Sequence, residues 1–79
     1  MIINDIKEML FAAQLGNSQS MVCVGLWGKG IAVYVENGET KQKTLVKTFY
    51  IKEEKEARNF ANGYSYGWSD GRADFASMF

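Results

Sequence analysis

Residues 21–36 read MVCVGLWGKGIAVYVE, and the fold turns on how this stretch is paired. Val22, Val24 and Leu26 alternate with Met21, Cys23 and Gly25, and Ile31, Val33 and Val35 alternate with Ala32 and Tyr34. That period of two marks a pair of strands with one apolar face. A four-residue loop at 27–30 opposes Leu26 to Ile31, Val24 to Val33 and Val22 to Val35, lining six aliphatic side chains along one face. A slip of one residue sets Val22 against Glu36 and turns every side chain over, so the register is well specified. Cys23 then stands opposite Tyr34 on the other face. It reads as a small apolar residue buried beneath a helix rather than a reactive thiol, because no basic residue is its neighbour in sequence.

Upstream, Asn4 can cap a helix in which Ile6, Met9, Leu10 and Ala13 fall at i, i+3, i+4 and i+7, with Asp5 and Glu8 near the positive end of its dipole. Gly16-Asn17 supplies a left-handed stop, so the pattern predicts a helix over about 4–15, with Ile2 and Ile3 packing ahead of the cap. Downstream, Asn37-Gly38 signals a turn and Thr44 to Ile51 reads as a third strand. A two-residue turn would leave Leu45 and Phe49 past the end of the second strand, whereas a longer connection over 37–43 shifts the register; both alternatives stay open.

In the C-terminal third, Ala57, Phe60, Ala61, Tyr64, Trp68, Gly71 and Phe75 share one helical stripe, and Glu53, Glu54 and Glu56 occupy the favourable first turn. This predicts one long or kinked helix over about 53–76. Gly63, Gly67 and Gly71 lie along a flank beside the stripe, each disfavoured by roughly 1 kcal/mol against alanine. Their spacing predicts close packing of another backbone or a ring against them, from the same chain or from a second copy. The expected architecture is α+β: an N-terminal helix, a three-stranded antiparallel meander and the C-terminal helix, forming one domain over 1–79.

The chain has 79 residues with nine basic and nine acidic side chains and no histidine. It therefore lacks an imidazole base, a histidine metal ligand and any Ser-His-Asp arrangement. The lone Cys23 can form no internal disulfide, which fits a reducing compartment. The first ten residues lack the basic start and apolar run of a secretory signal, and no stretch has the length of a membrane span, so a cytoplasmic location is expected. Gly28-Lys29-Gly30 lacks the spacing and the Ser/Thr of a phosphate loop. Asp70 and Asp74 are two carboxylates without a third ligand and read as a solvated helix face. No catalytic, cofactor or metal residue is assigned, and the chain is not expected to be an enzyme.

Candidate partner-binding residues remain. Trp27 sits at a hairpin tip, where an indole either anchors a partner or folds back on the sheet. Lys41, Lys43 and Lys47 share one side of an extended segment, with Lys52 following, a strip that either touches phosphates or solubilises an edge strand. Tyr66 is the one aromatic on the polar face of the predicted helix.

A short meander running into Phe49-Tyr50-Ile51-Lys52-Glu53-Glu54, and then Glu56-Ala57-Arg58-Asn59-Phe60-Ala61-Asn62-Gly63-Tyr64, in a chain free of proline and histidine, resembles the small accessory and host-takeover proteins of bacteriophages, of which anti-CRISPR proteins are the best-known examples. The resemblance is one of size and style over the C-terminal half. It implies a non-catalytic inhibitor that binds and blocks a larger host or defence complex, such as a CRISPR effector, in the host cytoplasm. The alternative is a small nucleic-acid-binding module using the Lys41–Lys52 strip, and a homodimer is a further expectation.

Overall fold

The computed structural model describes residues 1–16 and 18–77, with side chains as far as Tyr66. Its elements are the strands β1 (Ile2–Ile3), β2 (Glu8–Gln14), β3 (Met21–Trp27), β4 (Gly30–Glu36) and β5 (Lys43–Phe49), a 3-10 turn (Ile51–Glu53) and the helix α1 (Glu54–Ser77). All five strands join one antiparallel sheet in the order β1-β5-β4-β3-β2. No helix among the described residues is long and apolar enough to cross a membrane.

The central hairpin has the expected register, with Val22 opposite Val35, Val24 opposite Val33 and Leu26 opposite Ile31. Its loop is shorter than expected. Trp27 pairs with Gly30, leaving Gly28-Lys29 as a two-residue turn in which Gly28 takes the left-handed φ of 60°. The aliphatic row is buried beneath α1: Val22, Val24, Ile31 and Val33 form one core with Leu15, Ala57 and Ala61. Phe60 and Tyr64 pack at its margin, so the helical stripe is as expected up to Tyr64, and the helix runs unbroken through Gly63.

The N-terminal helix expected over 4–15 is not formed, and the sheet has five strands rather than three. Residues 8–14 are β2, and the bulge that shifts its register between Met9 and Phe11 explains the misreading. An extra residue, Leu10, breaks the period of two, so Ile6, Met9, Leu10 and Ala13 mimic a helical stripe. Asn4 caps nothing helical, since Asp5 next to it has φ of 61°. Gly16, read as part of a helix stop, has φ of 54° in the β2–β3 connection, where the Leu15 amide donates to Ser20 O at 3.0 Å; Asn17 lies outside the described residues. Ile2 and Ile3 pair with Thr44 and Lys43 as β1, at the far edge of the sheet.

The third strand of the expected meander is β5, which begins one residue early and ends at Phe49. The longer connection is the one formed. Asn37 Oδ1 accepts the amides of Glu39 and Thr40 at 2.8 and 3.0 Å, and Lys41 takes φ of 63°. A second bulge, at Val46, shifts the β4–β5 register between Val33 and Tyr34.

Between β1 and β2 the chain crosses the face opposite α1. Ile3 and Ile6 pack there with Cys23, Ala32, Tyr34, Ala12, Trp27 and Leu45 in a second core. Cys23 is therefore covered by this strap, not by a helix. A Cβ on Gly25 would stand 2.6 Å from Ile6 Cγ2 and 3.1 Å from Glu8 O, so only glycine lets the strap lie this close. Gly25→Ala should cost about 1–3 kcal/mol by overfilling that contact. It should also speed reaction of Cys23 with a thiol reagent under native conditions, because lifting the strap uncovers the sulfur. Equal melting temperature and labelling rate in the variant and the parent would contradict this account.

Candidate interaction surface

Lysines that the sequence placed on one side of β5 are separated by the Val46 bulge. Lys43 pairs with Glu36, on the strap face, and its Nζ lies 3.9 Å from the Glu36 carboxylate. Lys47 pairs with Val33, on the helix face. Lys41 is in the β4–β5 turn and Lys52 in the 3-10 turn, both exposed. A strip gathered on one face, the premise of the nucleic-acid reading, is not formed.

The structure assembles a different group instead. Phe49 ends β5, and Phe60 and Tyr64 come from successive turns of α1. Phe49 meets Phe60 edge to face with centroids 5.8 Å apart, and Phe60 stacks on Tyr64 at 6.2 Å. Lys47 Nζ lies 5.2 Å from the centroid of Phe49 and 5.3 Å from that of Phe60, within the range of a cation–π contact with both rings. All three rings are half-buried, so each presents part of its surface along the seam between β5 and α1. Tyr50 and Ile51 follow Phe49 directly and are 72% and 57% exposed. The Tyr50 amide donates to Glu53 Oε1 at 2.9 Å and the Glu53 amide returns to Tyr50 O at 2.9 Å, which fixes the corner into α1. Sequence reasoning named Lys47 but missed Phe49 and Phe60, because the contact depends on a bulge that reverses the side on which Lys47 projects.

The other candidates fall elsewhere. Trp27 is half-buried and packs on the strap-side core, and Lys7 Nζ donates to Gly28 O at 3.2 Å beside it. Tyr66 is 70% exposed on α1. Among the described residues nothing lies within 4 Å of a Cβ built on Gly63, so none of them packs against the flank there. The side chains of residues 67–77, with them the expectations for Gly67, Gly71, Asp70 and Asp74, lie outside the described residues. Among the described residues no group of three or more histidine, cysteine, aspartate or glutamate side chains stands where it could hold a metal ion.

On the strap face, burial pushes the Cys23 thiol up and the negative Glu36 adds to the effect. Tyr34, 1% exposed, is pushed up to about 12, chiefly by burial and then by the charges of Cys23 and Glu36, while its hydroxyl hydrogen-bonds Cys23. Both groups are therefore held protonated, and nothing here generates a nucleophile at neutral pH. No family model, curated protein or solved structure matches this chain.

Two measurements follow from this geometry. A folded Tyr34 keeps its proton to about pH 12, whereas an unfolded tyrosine loses it near 10. Between those values the folded state holds more protons, so stability should fall as pH rises from 10 towards 12, with Cys23 contributing in the same direction from pH 9. Denaturant melts at pH 8, 10 and 11.5 should show the decline, and Tyr34→Phe should flatten it. Gly63→Ala should raise stability by about 1 kcal/mol through helix propensity alone; a fall would mean that something other than the described residues occupies the flank.

Proposed function

We propose that the chain is a small non-catalytic interaction protein that docks on a larger protein through the β5–α1 seam. The observation that carries this reading is the lysine held over two half-buried phenylalanine rings, with Tyr50 and Ile51 exposed at the corner that follows Phe49. Aromatic side chains that are fixed by packing yet partly open lose little entropy on binding, and a cation beside them adds directional attraction for a carboxylate or a carbonyl. In the finer form of the proposal, the partner is a host or defence complex, such as a CRISPR effector, which the protein blocks by occupancy as a phage-type inhibitor. That form is supported by the resemblance in size and style of the C-terminal half.

The test uses the intact chain as bait against bacterial lysate, in parallel with Lys47→Glu and, as a control outside the seam that should retain the partner, Tyr66→Ala. Lys47→Glu reverses the charge over the rings, and its exposed position should leave the fold intact. A partner retained by the parent should be lost or bound at least about tenfold more weakly by Lys47→Glu, about 1.4 kcal/mol. The effect on the purified partner should saturate near equimolar ratio. Equal retention by parent and variant would exclude the seam, and turnover of a substrate by the purified protein would exclude a purely stoichiometric role.

A further inference from the structure

The two edges of the sheet are guarded unequally. At one edge, β1 covers the start of β5, the Leu45 amide donates to Met1 O at 2.8 Å, and lysines 43 and 47 project from the strand. Charged side chains and a covering segment are the usual protection of an exposed edge. At the other edge, β2 pairs among the described residues only with β3, and from Met9 to Leu15 it has neither a charge nor a proline.

Its outward hydrogen-bonding groups can be located from the ladder. Leu15 donates to Ser20 O across the β2–β3 pair, and antiparallel bonding alternates along a strand, so Ala13 and Phe11 also face β3 while Ala12 and Gln14 face away. Two features bracket this stretch. Ser65 Oγ donates to Gln14 O at 2.5 Å, closing one end, and the Leu10 bulge interrupts the other. Ala12, with both N–H and C=O directed outward, is the centre of what is left.

We infer that β2 pairs antiparallel with β2 of a second copy about a two-fold axis at Ala12. This register sets Ala12 opposite Ala12 on the strap face and Phe11 opposite Ala13 on the helix face, a large side chain against a small one on each side of the axis. No like charges meet, whereas the same operation on β5 would bring its lysines together. The seams at the two β5 edges then lie at opposite ends of a ten-stranded sheet, where both remain accessible to a bivalent target. The inference does not rest on the proposed function, since it concerns the other edge.

The ladder is short, so the dimer should be weak and should appear in sedimentation equilibrium as concentration rises from about 10 µM to about 1 mM. Over that range exchange of the Ala12 amide should slow several-fold while that of Ala13, already bonded to β3, stays constant. Ala12→Pro removes an outward donor without breaking a bond to β3, and should leave a monomer with an unchanged circular dichroism spectrum. A parent that stays monomeric throughout, an Ala12 amide indifferent to concentration, or a dimer that survives in folded Ala12→Pro would each overturn the inference. Should Ala12→Pro fail to fold, the amide measurement on the parent decides.

Discussion

The reach of the segment from Ile3 to Glu8 constrains the rest of the structure. Five residues span at most about 18 Å. In a flat sheet β1 and β2 would be four strand spacings apart, about 19 Å, and Glu8 would be displaced a further ~16 Å along the strands, because Ile3 is level with Lys43, Glu36 and Met21 whereas Glu8 is level with Leu26. A flat sheet cannot be bridged. The sheet must curl towards the strap, and the strap must lie directly on it, which is why Gly25 stands beneath Ile6 in the middle of a central strand. The burial of Cys23 and Tyr34, and with it their protonation, follows from the same contact.

Curling a sheet requires strands that bend, and bulges are where antiparallel strands bend and gain twist. Both bulges are in the strands flanking the central hairpin, one in β2 and one in β5. Each has a second consequence. In β2 the extra residue directs both Leu10 and Phe11 into the helix-side core. In β5 it reverses the facing of everything beyond Val46, so that Leu45 fills the strap-side core while Lys47 emerges over Phe49 and Phe60. The candidate surface is thus a by-product of the geometry that lets the N-terminal segment cross.

What was legible in the sequence divides along the same line. The β3–β4 register could be read because six aliphatic residues alternate without interruption and only one pairing buries them all. The C-terminal stripe could be read as far as Tyr64 because Ala57, Phe60, Ala61 and Tyr64 recur at helical spacing. The N-terminal strand could not, since a bulge destroys the alternation that identifies a strand and the remaining apolar spacing imitates a helix. β1 is two residues long and has no pattern of its own. One signal was present and unused: a glycine inside an otherwise apolar strand marks close approach of another backbone, and Gly25 does this for the strap. The aromatic–lysine group was unreadable for a related reason, because the side on which Lys47 projects depends on a bulge that composition does not reveal.

The unequal edges bear on how such a small domain divides its surface. α1 contacts β2, β3 and β4 most closely, which leaves β5 as the strand whose helix-side residues are least covered. At that strand the chain places its lysine and its partly open rings, and covers the start of the backbone edge with β1. Over β2 the helix approaches closely enough for Ser65 to reach Gln14, yet from Met9 onward the strand carries no charge. A charged, aromatic surface beside a protected edge favours side-chain recognition, while a neutral, bracketed edge favours backbone pairing. The two surfaces differ in chemistry because the helix crosses the sheet obliquely, from the end of β5 towards the end of β2. They lie on opposite margins of the sheet, so occupying one leaves the other open.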